Sequence, residues 1–238
     1  SLMLVTPSKY FDKNYVDKER EEIFDSKTNA SKNQITEKET IYNDIICNIP
    51  YILVTLYRGN RFFIYVAICY WYADYIEFSL LEKNPQIIFW SFSITMVIAS
   101  LIGNILGGVI INLIGGPNSK HLYVSMFVLQ LLSVLFGLFA PAKKSVLYFS
   151  ILMSIYIFIN SASGIVAISA SFAVMPKTLT GTAIGLYSLI VNLIAFLPAP
   201  YAYAFIKGIV GSGSKVMFIL MLYGLFGCFE LAFADIYM

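Results

Sequence analysis

The sequence predicts an all-α membrane protein built as a six-transmembrane-helix bundle, and three observations carry that prediction. Of 238 residues, 58% are hydrophobic and only 13% are charged, with a mean hydropathy of +0.75. That is more apolar surface than a water-soluble domain can cover. Six apolar stretches reach or exceed the ~20 residues needed to cross about 30 Å of hydrocarbon. Short separators rich in Gly, Pro or charge lie between them, such as Glu82-Lys83-Asn84-Pro85, Gly115-Gly116-Pro117, Pro141-Ala142-Lys143-Lys144, Pro176-Lys177-Thr178 and the run from Gly208 to Lys215.

The elements follow in chain order. Ser1–Pro7 has neither the charged start nor the apolar length of a signal peptide, and a chain opening on Ser1 is expected to be the C-terminal part of a longer one. Residues 1–40 are predicted to be a charged, flexible cytoplasmic linker, because 8–40 show no apolar period. The sequon Asn29-Ala30-Ser31 matters only if this arm is lumenal. In 41–61, Ile41, Ile45, Ile49, Ile52, Leu53 and Leu56 recur at helical spacing, with Asn43, Asp44 and Asn48 among them and Pro50 interrupting or restarting the helix. This predicts an interfacial amphipathic segment, the alternative being a longer linker. Residues 1–61 hold nine of the sixteen Lys/Arg and nine of the fourteen Asp/Glu, so the polar arm is expected to end at Arg61. The six-span bundle then occupies 62–238, with spans near 62–81, 87–113, 122–140, 145–174, 180–206 and 216–237. The second, fourth and fifth are long enough to tilt or kink. Six crossings put both ends on one side, taken as cytoplasmic. Arg58, Arg61, Lys120 and Lys177 then lie inside and Lys83, Lys143, Lys144, Lys207 and Lys215 outside, a near balance that charge counting does not break.

Composition also narrows the function. A net charge of +2 is too small to point to nucleic acid. Cys47, Cys69 and Cys228 have no paired spacing, so neither a disulfide framework nor a zinc site is indicated. The one histidine, His121, reads as an interfacial residue at a helix edge. There is no nucleotide-binding loop, HExxH or GxSxG, so an enzyme is not expected, and no metal or cofactor is implied. The expected partners are the lipid bilayer and a small-molecule solute.

Ionisable residues inside a span are the first candidates for chemistry. Asp74 and Glu77, at i and i+3, share a helix face. At ~1.5 Å per residue from Phe62 they lie ~18–22 Å into the predicted span. Two acids offset roughly ten apolar residues in insertion free energy, so this helix needs help from neighbours. No Lys or Arg is expected at that depth. The pair is therefore read as a proton or cation relay or a site for a cationic group, with a wet lumenal mouth as the other reading. Glu230, in the sixth span, is a further pathway candidate. Asn104, Gln130, Asn160, Ser161, Ser163 and Asn192 bring polar groups into the other spans, either bonding across helices or lining a shared cavity, with Asn104 and Asn192 assigned to the pathway. Gly103-x-x-x-Gly107-Gly108 and Gly181-x-x-x-Gly185 permit close helix contact. Pro198 and Pro200 break the fifth span and mark a kink or gate. Trp71 and Tyr75 are candidates for an aromatic cavity wall, or for tight aromatic packing.

A charged linker, an amphipathic segment and six spans resemble the C-terminal half of a major facilitator superfamily transporter. Gly108-Val109-Ile110-Ile111-Asn112-Leu113-Ile114-Gly115-Gly116 is similar to that family's loop motif between spans two and three, with Asn112 at the acidic and Leu113 at the basic position. Gly108 and Asn112 are thereby carried over as gating candidates. Pro176-Lys177 with Gly181, Gly185, Asn192 and Pro198-Ala199-Pro200 resembles Spinster-like or organic-anion-type members, as does Trp71-Tyr72-Ala73-Asp74-Tyr75. The resemblance implies half of a twelve-helix fold working by alternating access against an N-terminal six-helix half absent from this chain. The functional expectation is a secondary active transporter half for a small organic or amphipathic solute, with Asp74 coupling to protons. The rival expectation is a non-transporting scaffold or subunit of a larger membrane complex.

Overall fold

A computed structural model of the chain describes residues 45, 47–117, 119, 121–175 and 180–236. The arm at 1–40, most of 41–46, Asn118, Lys120 and the Pro176–Leu179 separator lie outside the described residues. Among the described residues every regular element is helical. Six helices are long and apolar enough to cross a membrane: α1 Ile49–Ser79, α2 Pro85–Leu113, α3 His121–Ala142, α4 Val146–Ala173, α5 Thr180–Val210 and α6 Gly213–Ala234. This is the architecture of a multi-pass membrane protein.

The largest departure from the sequence reading is at the start of α1. The expected boundary at Arg61 does not exist, and 49–61 are the first half of the spanning helix itself. Of the two effects expected of Pro50, interrupting or restarting the helix, the second holds. Pro50 sits in the first turn, where a missing N–H costs no helical bond. Asn48 caps that turn, its side chain accepting from the Tyr51 N–H at 3.1 Å. Asn84 and Ser145 cap α2 and α4 in the same way.

Helix α1 packs on α4, α5 and α6, while α4 packs on α1, α2 and α3. Half of the most apolar stretch of α1 is buried, against 22% for α2 and 28% for α5, so α1 is an inner helix and α2 and α5 are outer ones. Lipid tails are as apolar as leucine, so shape fit and polar bonds hold such a bundle together. Tyr72 and Tyr75 of α1 pack on Phe149 of α4 with ring centroids 5.3 and 4.6 Å apart. The Tyr72 hydroxyl also meets Thr95 of α2 at 3.0 Å. On α2, a Cβ at Gly103 would strike the Phe158 carbonyl oxygen, and one at Gly107 would lie 2.5 Å from that of Ala162. These two glycines are where α2 closes on α4. Gly181 and Gly185 have nothing within 4 Å of such a Cβ.

The long helices are not uniform. Wider π-helical turns occur at Tyr75–Ser79, Ile94–Ile98 and Asn192–Phe196. In α5 the last of these leads to a break before Ala199, at Pro198, which is the interruption the prolines predict. Gly115 and Gly116, with φ of +94° and +91°, end α2, and the Gly116 N–H donates back to Ile111 at 2.8 Å.

Replacing Gly103 or Gly107 by Leu should push α2 off α4 and lower stability by at least about 1–3 kcal/mol. The same change at Gly185 should be nearly neutral for the isolated chain. Thermal unfolding in a neutral detergent measures both, and equal losses at Gly103 and Gly185 would contradict this packing.

Candidate functional site

Extending α1 back to Ile49 moves its charges relative to the middle of the helix, which now falls at Ile64. Arg61 and Arg58 stand ~4.5 and ~9 Å from that midpoint, whereas Asp74 and Glu77 stand ~15 and ~20 Å away, toward one end. Along α1 the two acids therefore lie toward one end, and the charges nearest the midpoint of the helix are basic.

Arg61 is buried, with 4% of its surface exposed. Its Nε and Nη2 donate to the Asn160 side-chain oxygen at 2.9 and 2.7 Å, and Nη2 donates also to the Asn160 carbonyl. Its guanidinium lies 5.3 Å from the Tyr57 ring centroid. Arg58, half-buried one turn earlier, donates from Nη1 to the Gly164 carbonyl at 2.6 Å and lies 5.3 Å from the Tyr187 ring centroid. The two residues share a cavity of about 240 Å³ between α1, α2 and α4, with Phe62 and Tyr65 of α1, Ser100 and Asn104 of α2, and Asn160 and Ser161 of α4. Helix α5 borders it through the Arg58–Tyr187 contact and through Phe62 and Phe196, whose rings meet edge to face at 5.3 Å.

Among the described residues no carboxylate pairs with these cations. The one ion pair among the described residues joins Lys207 to Asp74 at 2.9 Å. The expectation of no basic residue at the depth of Asp74 is corrected: α5 runs through Val210, so Lys207 belongs to the span and reaches the acid from the side. Glu77 is exposed and shares no partner with Asp74. Glu230 accepts from the Asn60 amide at 2.5 Å, and Tyr223 donates to the Asn60 oxygen at 2.7 Å. The other Glu230 oxygen is buried without a hydrogen bond among the described residues.

The remaining candidates divide. Asn104, with Asn160 and Ser161, lines the cavity, while Gln130 and Ser163 bond the Tyr57 hydroxyl at 3.2 and 2.8 Å and serve packing. Asn192 and Asn112 are exposed, and Gly108 has open space around it. Trp71 and Tyr75 do not line the cavity. Trp71 stacks on Tyr203 at 4.8 Å and donates to the Pro200 carbonyl at 3.0 Å, tying α1 to the broken part of α5. Tyr75 is fully buried and reaches Ser214 at 3.1 Å. The sequence reading missed Arg58 and Arg61 as site residues. The available signal was that apolar residues flank the Arg58-Gly59-Asn60-Arg61 run on both sides, from Ile49 to Tyr57 and again from Phe62.

Comparison of the chain with protein-family models, with curated proteins and with solved structures finds no match.

The Asp74–Lys207 pair is about one-third exposed on both sides, which limits its worth to roughly 0–1 kcal/mol. Asp74→Asn and Lys207→Gln should each lower thermal stability by no more than that, and the double change should cost no more than either single one. A loss of several kcal/mol from a single change would mark the pair as fully desolvated instead.

Proposed function

We propose that this chain is the C-terminal six-helix half of a secondary active transporter, moving a small organic or amphipathic solute by alternating access, with the α1–α2–α4 cavity as the place where the solute is held. One observation carries this reading: a polar cavity holding two arginines, open to the outside of the bundle, near the middle of a helix long enough to cross a membrane. Hydrocarbon can neither solvate nor bond such groups, so this flank needs water or protein against it. The helices beside it carry polar or small residues on unburied faces as well. Asn104 and Gly108 lie one turn apart on α2, and Gly181, Gly185, Ser188 and Asn192 share one face of α5.

A second six-helix bundle, as the resemblance to the major facilitator superfamily implies, is the cover that fits these faces and would enclose the cavity with water. The Lys207–Asp74 pair and the Trp71–Tyr203 stack join α1 to the part of α5 beyond its break, where a bending motion would act. Proton coupling is assigned to Glu230 in preference to Asp74, since one Glu230 oxygen has no partner among the described residues and Asp74 is held by Lys207.

The reading is tested by water accessibility. In a chain with Cys47, Cys69 and Cys228 changed to Ser, Asn104→Cys and Ser188→Cys in membranes should react with a membrane-impermeant maleimide supplied to both sides. Leu131→Cys, half-exposed on the outer face of α3, should not. Protection of the first two to the level of Leu131→Cys would remove the transport reading and favour a scaffold.

A further inference from the structure

We propose that the α1–α2–α4 cavity binds a small oxyanion, the carboxylate or phosphate group of its solute, between Arg58 and Arg61. The proposal rests on the transporter reading for its purpose but not for its chemistry. The two guanidiniums are permanently charged and lie at i and i+3 on one helix face. Like charges in a low-dielectric site are costly until a counter-charge arrives. Four carboxylate side chains are described, those of Asp74, Glu77, Glu82 and Glu230, and none of them pairs with either arginine or lines the cavity.

The donors are also left available. An arginine has five N–H groups, and Arg58 spends one of them, on Gly164. Arg61 commits Nε and Nη2 to Asn160, while its Nη1 donates to nothing among the described residues. Ser161 donates to the Ser100 oxygen at 3.0 Å and Ser100 also bonds Tyr65, so these hydroxyls form a polar but already engaged part of the cavity wall. Tyr57 and Tyr187 lie beside the guanidiniums and fix them without neutralising them. The result is the planar fork of Arg58 and the Nη1 group of Arg61 lining one space, so that a carboxylate or phosphate can take paired hydrogen bonds from Arg58 and a further one from Arg61. A volume of about 240 Å³ falls just below the ~300 Å³ at which pockets for whole drug-sized ligands begin. The cavity therefore fits an anionic head group, with the rest of a larger solute lying outside it.

The test is equilibrium binding to the full chain purified in a neutral maltoside, by titration calorimetry at low ionic strength. The probes are benzoate, phenyl phosphate, benzyl alcohol and benzylamine, which share one ring and differ in charge. One or both anions should bind saturably while the alcohol and the amine do not, and the preferred anion separates a carboxylate from a phosphate solute. Arg58→Gln should weaken that binding about ten- to hundredfold, the range for hydrogen bonds to a charged group, and Arg58→Lys should restore part of it. Among the described residues Arg58 makes one hydrogen bond and one ring contact, so the unfolding temperature of its variant serves as a check that the variant is folded; Arg61→Gln is the second variant. Absence of anion binding, equal binding of the alcohol, or binding unchanged in both folded Gln variants would overturn the proposal. Anion binding in a protein that fails the cysteine test would keep the site and remove the transport reading. Labelling of Asn104→Cys without anion preference would do the reverse.

Discussion

Hydrocarbon offers nothing to a guanidinium, and Arg61 stands ~4.5 Å from the midpoint of a helix long enough to cross a membrane. Its bonds to the side chain and carbonyl of Asn160 fix the rotation of α1 against α4. With that rotation set, the other polar residues of α1 each meet a different neighbour. Tyr57 reaches Gln130 of α3 and Ser163 of α4, and Gln130 passes a bond to the Gly224 carbonyl of α6 at 2.9 Å. Asn60, one turn on from Tyr57, meets Glu230 and Tyr223 of α6. Tyr72, further along, joins Ser91 and Thr95 of α2. A helix of this polarity needs such partners, and the flank carrying Arg58 and Arg61 is the side of α1 left open.

The outer helices show what small residues do and do not decide. Gly103 and Gly107 sit against α4 carbonyls, whereas Gly181 and Gly185, at the same spacing, face open space. A small-x-x-x-small row permits two backbones to approach but supplies no partner. Which row is used depends on what the rest of the bundle brings to it. In α2 that is α4, ordered by the Ser161–Ser100 and Ser154–Thr95 hydroxyl bonds at 3.0 Å. The unmatched row on α5 is one of the faces for which a covering bundle is proposed.

The charges of the membrane body sort by pairing. Asp74 and Lys207 cancel within the chain, and Glu230 is held by an amide. The two arginines are held by carbonyl and amide oxygens, which orient them without removing their charge. Attention to the acids alone points to a cationic ligand, while the pairing pattern points to an anionic one. The difference comes from a single boundary: ending the polar arm at Arg61 assigns to an interfacial segment two cations that lie near the midpoint of α1.

Length, apolarity and turn chemistry are local sums along the chain, so the sequence alone determined the all-helical class, the number of spanning helices and the limits of α2 through α6 to within a few residues. The break of α5 near Pro198 was legible for the same reason, because proline acts on its own turn. Partners were not legible. Asn160 is one polar residue among several in the spans, and nothing near it in sequence names Arg61, which lies 99 positions away. Lys207 reads as a loop cation until the helix containing it is seen to continue to Val210 and bring it to Asp74. Burial of Trp71 and Tyr75 in contacts with α5, α4 and α6, rather than in a cavity wall, also depends on helix rotation. Rotation is set by the whole set of interhelical contacts at once, and only the tertiary structure decided it.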